Sequence, residues 1–225
     1  KRKMRRKRKN QIPPMNKKVL PGAQINAEAL KKIKDNIQLK SPHPEKVRII
    51  AITKTFSYKA IQEACAQNIL DIGENKIQEL EKKINKQTKP RNLKIHFIGH
   101  LQTNKINSCL ELFDAIDSVD SIRLAQKISS RAKALNKTTP ILLEVNTSGE
   151  AQKYGFTPKQ RKEMLSCLEE PNIRTTGLMT VGPRTKDKKQ IRKAFVELRN
   201  LRDSINQELG NAALKDLSMG MSGDY

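Results

Sequence analysis

The sequence predicts an α/β protein whose parallel sheet is closed as a TIM-type (β/α) barrel rather than left open as a doubly wound sheet. Short β-branched apolar segments alternate six times with amphipathic segments along the chain. This is the pattern of βα units joined by right-handed crossovers. No turn of the GxGxxG type follows the first strand, and such a turn is typical of the open alternative.

Each element follows from a local pattern. A helix is predicted over residues 27–39, since apolar residues recur there at helical spacing. The first strand is predicted at 47–53, with Ser57 as the N-cap of the helix after it. The later elements are strands at 69–72, 94–98, 115–116, 141–145, 175–181 and 217–219, and helices at 76–84, 104–112, 121–135, 158–168 and 188–209.

Positive charge is concentrated at the amino end. The 225 residues include 45 Lys and Arg against 23 Asp and Glu, and ten of those bases lie within residues 1–18. We expect residues 1–22 to form a disordered basic arm and residues 23–225 a single domain. An arm that binds nucleic acid or an anionic membrane is the alternative. Nucleic acid is not expected as a partner, because no aromatic residue lies among the bases.

Composition excludes several classes of protein. No apolar run is long enough to cross a bilayer and no secretory signal is found, so a cytoplasmic location is expected. Cys65, Cys109 and Cys167 lie in separate predicted helices, with no CxxC motif and no histidine at metal-ligand spacing. They are expected to be reduced, packed thiols, and no metal site is predicted.

Polar residues at the carboxyl ends of the strands are the candidates for function, because the working residues of parallel α/β folds gather there. Lys54 follows the first apolar strand. At the start of a barrel interior its ammonium would be partly desolvated, which favours the free amine that attacks an aldehyde. A surface lysine at a strand end is the alternative in so lysine-rich a chain.

Five short motifs appear in one order: ITKT at 52–55, GEN at 73–75, HFIGHLQTNK at 96–105, GLM at 177–179 and SMGMSGD at 218–224. The set resembles the pyridoxal phosphate homeostasis protein family. The resemblance implies a barrel related to the amino-terminal domain of alanine racemase. It also implies that pyridoxal 5′-phosphate (PLP) is held as an imine on the lysine of the first strand, which is Lys54 here.

The resemblance implies further cofactor-binding residues, namely Asn75, His96, Met179, Ser218, Met221 and Ser222. Asn75 would face the cofactor or cap the next helix, and His96 would lie beneath the pyridine ring or be a hydrogen-bonded core residue. Ser218 and Ser222 would contact the phosphate or form a turn. The two methionines would line the pocket or fill the core.

Three neighbouring motif residues receive weaker roles. His100 is interpreted as a residue of the loop surface. Asn104 and Lys105 match the family motif, but helix capping explains Asn104 equally well.

The resemblance implies a carrier that buffers free PLP without turnover of its own. PLP-dependent apoenzymes would receive the cofactor, and a monomer is expected. One alternative is a racemase or decarboxylase fragment that needs a proton-handling residue from a second subunit. The other is a nucleic-acid-binding protein that uses the basic arm. Relatives continue past SMGMS with a helix and a strand, so the barrel is expected to lack its last βα unit.

Overall fold

The computed structural model describes residues 24–84 and 87–221, so the arm predicted at 1–22 and Ser222 lie outside the described residues. Seven strands run through these two ranges: β1 (Ile50–Ile52), β2 (Asp71–Glu74), β3 (Lys94–Phe97), β4 (Ala115–Val119), β5 (Thr139–Glu144), β6 (Ile173–Met179) and β7 (Asp216–Ser218). The helices between and before them are α1 (Ala27–Lys40), α2 (Tyr58–Ala66), α3 (Ile77–Ile84), α4 (Ile106–Leu112), α5 (Ile122–Ala134), α6 (Arg161–Glu169) and α7 (Lys188–Leu209).

The strands form one sheet in chain order, from β1 at one edge to β7 at the other. Each strand pairs in parallel with the next. The sheet curls, since the Arg48 guanidinium before β1 lies 3.6 Å from Asp71 of β2 and 3.8 Å from Asp216 of β7. The predicted parallel barrel-type sheet with six βα units and a seventh strand is therefore confirmed.

Side chains at the helix ends explain where several helices begin and stop. Asn26 accepts a hydrogen bond from the Ala29 N–H at the start of α1, and Ser121 accepts one from Leu124 at the start of α5. Such caps satisfy backbone donors that a helix leaves unpaired. At the other end of α7, Gly210 adopts a left-handed φ of 66° and ends the helix.

Two strands differ from their predicted lengths by more than one residue. The first was predicted at 47–53, but β1 has only three residues, since β2 is the one described strand that pairs with it. The fourth was predicted at two residues, but β4 has five. Asp117 and Ser118 interrupt its apolar pattern, yet both are buried. Their polar atoms are satisfied by His96 and by the Gly99 carbonyl, which lets the strand continue.

The hydrophobic core lies between the sheet and the helices on its outer face. Its fully buried side chains come from neighbouring strands and from the helices that cover them, and include Ile61, Ile72, Ile95, Ile116, Ile128, Leu143 and Leu178. Phe97 and Phe113 pack edge to face with their ring centroids 5.1 Å apart.

The cysteines behave as packed thiols. Cys109 and Cys167 are buried and Cys65 is partly buried, and all three are free. Burial raises the pKa of Cys109 and of Cys167 to about 12, which leaves them protonated and unreactive. Among the described residues there is no cluster of side chains that could hold a metal ion, and no helix there is both long and apolar enough to span a membrane.

Candidate functional site

The carboxyl ends of the seven parallel strands lie together at one end of the barrel, the carboxyl face. The predicted site residues are distributed around this face. Lys54 follows β1, Asn75 follows β2, and Ser218 ends β7. Because β1 and β7 are the two edges of a curled sheet, Lys54 and Ser218 belong to the same, open side of the barrel. The structure thus places the lysine and one hydroxyl of the predicted phosphate site on neighbouring edges.

Lys54 occupies a tight turn. The Phe56 N–H donates to the Thr53 carbonyl at 3.2 Å, so Lys54 and Thr55 are the central residues of a four-residue turn. The Lys54 side chain is exposed, which corrects the expectation that it is partly desolvated. The strand ends at Ile52, and the turn carries the lysine out of the barrel wall before α2 begins. Lys54 has no hydrogen-bond or ion-pair partner among the described residues.

A buried cluster of charged side chains lies directly behind this turn. The Lys83 ammonium of α3 is 2.6 Å from Glu74 Oε1 and 2.8 Å from Glu79 Oε1. It also donates to the Thr53 carbonyl at 2.8 Å. The Thr53 hydroxyl donates to Glu74 Oε1 at 2.6 Å, and the Thr55 N–H donates to Glu79. Both residues that flank Lys54 are therefore tied to one cluster.

Burial affects the two carboxylates of the cluster differently. Burial raises the pKa of Glu74, and the hydrogen bonds from Lys83 and Thr53 offset this only in part. Burial also acts to raise the pKa of Glu79, but there Lys83 and the Thr55 N–H outweigh it and the pKa is lowered. Glu79 is consequently the firmly ionised member of the pair.

Asn75 lies beside this cluster at the end of β2. Its Oδ1 atom is buried and has no partner among the described residues, and the same is true of Glu74 Oε2. The capping role considered for Asn75 is therefore wrong, since a cap must accept a backbone hydrogen bond. The backbone is closely packed here, because a Cβ atom added to Gly99 would lie 2.3 Å from the Asn75 carbonyl oxygen.

His96 lies inside the curled sheet on β3. Its Nδ1 atom is 3.0 Å from Asp117 Oδ2, and its Nε2 atom is 3.0 Å from Asp71 Oδ1. Burial acts to lower the pKa of His96, but the hydrogen bonds and charges of the two aspartates outweigh it and the pKa is raised. The arrangement suits an imidazolium that donates from both nitrogens. His96 is thus a hydrogen-bonded core residue, whereas its place beneath a cofactor ring stays a prediction.

The remaining predicted residues lie at the ends of β6 and β7. Met179 is buried, Ser218 is partly buried and Met221 is exposed. The Ser218 backbone continues the ladder, since its carbonyl accepts from the Thr180 N–H at 3.0 Å. Met221 lies near Gly182, where an added Cβ would be 3.7 Å from the methionine Cε. Met221 therefore lies beside the loop that follows β6.

A second group of polar residues at the same face was not predicted as a site. His100 is exposed, as predicted, but its Nδ1 is 3.1 Å from Asp120 and its ring stacks on Tyr154 at 3.9 Å. Burial, with a contribution from the Asp120 charge, raises the pKa of Glu144 to about 7. Only the position of Asp120 and Glu144 at strand ends could have indicated them.

The motif residues before α4 form a short 3-10 turn. Asn104 lies within that turn, and Lys105 holds the N-cap position of α4 without a side-chain hydrogen bond. The capping role considered for Asn104 is therefore wrong. A shallow depression of about 160 Å³ lies beside the turn, between Asn75, His100 and Lys105.

The fold and the site define a barrel-type α/β protein with an exposed lysine and partly buried polar groups at the carboxyl end of its sheet. The sequence model of the alanine racemase N-terminal domain family matches residues 28–225. The chain belongs to this family and, within it, to the pyridoxal phosphate homeostasis proteins. The protein of that name from Aquifex aeolicus is 38% identical over 179 residues, 79% of this chain and 78% of the relative. The Helicobacter pylori protein is 39% identical over 80% of this chain and 79% of its own.

Solved structures support the same assignment. PipY of Synechococcus elongatus, solved with PLP bound, superposes with a TM-score of 0.74 at 31% identity, over 85% of this chain and 90% of that one. An alanine racemase of Clostridium difficile superposes with a TM-score of 0.68 at 18% identity, over 89% of this chain and 53% of that one. The second likeness concerns the fold alone.

Proposed function

We propose that this protein is a PLP carrier that holds the cofactor as an imine on Lys54, without turnover of its own, and contributes to PLP homeostasis in the cytoplasm. The observation that carries the proposal is the exposed Lys54 amine at the carboxyl end of β1, which none of the described residues binds. By contrast, Lys83 and Lys153 are held by carboxylates and backbone carbonyls. The proposal is supported by the PipY relative, which has PLP bound.

The residues at this face fit the cofactor. PLP would supply an aldehyde; the Lys54 amine would form a C=N bond to its carbon while two hydrogens of the ammonium or amine leave with the aldehyde oxygen as water, so no oxidant is needed. Ser218 supplies a hydroxyl for the phosphate from the adjacent edge. The buried Asn75 Oδ1, to which no described residue donates, is an acceptor available to a polar ring substituent. Met179, Met221, His96 and Ser222 would complete the pocket.

The absence of turnover belongs to the same proposal. Racemases of this class need a proton-handling residue on each face of the bound substrate. The relatives that match this chain over most of their length are named pyridoxal phosphate homeostasis proteins, not racemases. We propose that the bound cofactor is passed to apoenzymes by a monomeric carrier rather than used in a reaction.

Imine formation tests the proposal directly. The protein is incubated with PLP, the visible imine band is followed, and borohydride reduction fixes the adduct for peptide mapping. We expect one adduct, on Lys54, and its loss in Lys54→Ala. Lys59→Ala is the matched control, because Lys59 is an exposed lysine of the neighbouring helix α2 and its removal should leave the band unchanged. Adducts spread over many lysines would sink the proposal.

The carrier role has its own test. The loaded protein is mixed with a PLP-dependent apoenzyme, and recovery of that enzyme's activity is compared with recovery on free PLP. We expect transfer from the wild-type protein, a monomer by light scattering, and no racemisation of alanine under the same conditions. Racemisation that depends on Lys54 would replace the carrier with an enzyme.

A further inference from the structure

The turn that carries Lys54 has an unusual backbone. Thr55 has a left-handed φ of 69°, a conformation that glycine adopts freely and a β-branched residue rarely adopts. A residue in such a conformation persists only where its surroundings hold it, and such positions cluster at functional sites. The turn is therefore held by something other than its own preference.

The buried cluster behind the turn supplies that restraint. Glu79 accepts a hydrogen bond from the Thr55 N–H, while Glu74 accepts one from the Thr53 hydroxyl at 2.6 Å. Lys83 bridges the two carboxylates at 2.6 and 2.8 Å. Its ammonium also binds the Thr53 carbonyl, so each of these hydrogen bonds between the cluster and the turn after β1 falls on a neighbour of Lys54.

The burial of this cluster makes the arrangement costly. The side chains of Lys83 and Glu74 are only 1% and 0% exposed. Ion pairs so deeply buried lose much of their Coulomb attraction to desolvation, and apolar residues of similar volume often serve stability equally well. What the charges provide here is a fixed backbone geometry at Thr53 and Thr55, the two neighbours of Lys54.

We propose that Glu79, held in place by Lys83, is a positioning residue that fixes the direction in which the Lys54 amine leaves the barrel wall. The inference rests on the proposed imine at Lys54 and adds the residues that make that lysine a specific site. Lys54 is then preorganised for the cofactor, whereas the other exposed lysines lose conformational freedom when they bind.

The test removes the restraint on Thr55 and leaves the buried pair intact. Glu79→Ala deletes the acceptor of the Thr55 N–H, while Lys83 keeps Glu74 as its partner. Glu79→Gln is the matched control, because its amide oxygen still accepts from both donors. Thr55→Gly in the Glu79→Ala background supplies a residue that favours the left-handed turn by itself.

The readout is the PLP concentration that gives half of the Lys54 imine band. We expect Glu79→Ala to raise it about tenfold, the effect of one lost charge-assisted hydrogen bond. Glu79→Gln should stay within about threefold of wild type, and Thr55→Gly should restore the Glu79→Ala protein to that range, since both changes preserve the turn. If Glu79 only stabilised the fold, Thr55→Gly would not lower the PLP concentration that the Glu79→Ala protein needs.

The possible failures are distinguishable. Equal imine formation in wild type and Glu79→Ala overturns the positioning role and leaves the carrier proposal standing. So does a folded Thr55→Gly/Glu79→Ala protein that needs as much PLP as Glu79→Ala alone. A wild-type protein without any Lys54 imine overturns the carrier proposal and, with it, the role of the cluster. Thermal unfolding of each variant shows that the proteins compared are folded.

Discussion

The interior strand β4 and the edge strands β1 and β7 are built differently. All five residues of β4 are buried, whereas β1 and β7 have three residues each and none of them is buried. Ile116 of β4 is 1% exposed and Ile52 of β1 is 46% exposed. The two regions therefore contribute differently. Burial around β4 supplies stability, while the partly exposed edge strands carry Lys54 and Ser218 at their carboxyl ends.

The largest expected effect tests this division with one substitution at two places. Ile116→Ala removes a buried side chain and should lower the free energy of unfolding by about 2–5 kcal/mol, through lost burial and the cavity left behind. Ile52→Ala removes the same atoms from an exposed position and should cost less than about 1 kcal/mol. Urea unfolding measures both. Equal losses would mean that the edge contributes to the core as much as the interior does.

The second prediction concerns the pH dependence of stability through His96, which joins β2 to β4 by its bonds to Asp71 and Asp117. Its pKa is raised in the folded protein, so its stabilisation is complete below the ordinary value of about 6.5. The free energy of unfolding should then fall as pH rises from that value through the raised pKa. Urea unfolding at successive pH values measures the decline.

Asp117→Asn sharpens this test. Loss of the Asp117 charge should cost about 1.5–3 kcal/mol at pH 6, the range for a hydrogen bond to a charged group, and less at higher pH. His100→Gln is the control, because His100 is 40% exposed and its removal should leave the decline unchanged. A stability that stays level between pH 6.5 and 9 in the wild-type protein would contradict the role of His96.

Much of the fold could be predicted from the sequence, because local patterns determine it. The helix predicted at 188–209 has those bounds in α7, where apolar periodicity and Gly210 mark its course and end. The fourth strand was predicted too short, since Asp117 is polar and its partner His96 is 21 residues away. Apolar periodicity cannot anticipate a polar pair that the sheet assembles.

The candidate site was predictable in its positions but not in its contacts. Motif resemblance indicated Lys54 and Asn75. The exposure of Lys54, and the lack of a donor to Asn75 Oδ1 among the described residues, depend on packing. Lys83 was missed because it looks like any helical lysine. The only local signal was Glu79 four residues before it, a spacing typical of exposed helix pairs. The contacts of Lys83 with Thr53 and Glu74 join residues 30 and 9 positions apart, which a local pattern does not reveal.

The smallest expected effect concerns the contact that draws the two edges together. Arg48 reaches Asp71 and Asp216 at 3.6 and 3.8 Å, but its side chain is 51% exposed. Water and salt screen such a pair, so Arg48→Gln should lower the free energy of unfolding by less than about 1 kcal/mol, and by less still at high salt. Lys89→Gln, which breaks the exposed Lys89–Asp114 pair, is the control away from the edges. A loss several times larger for Arg48 than for Lys89 in urea unfolding would mean that the edges are joined by more than a surface ion pair. The open side of the barrel would then share in stability as well as in binding.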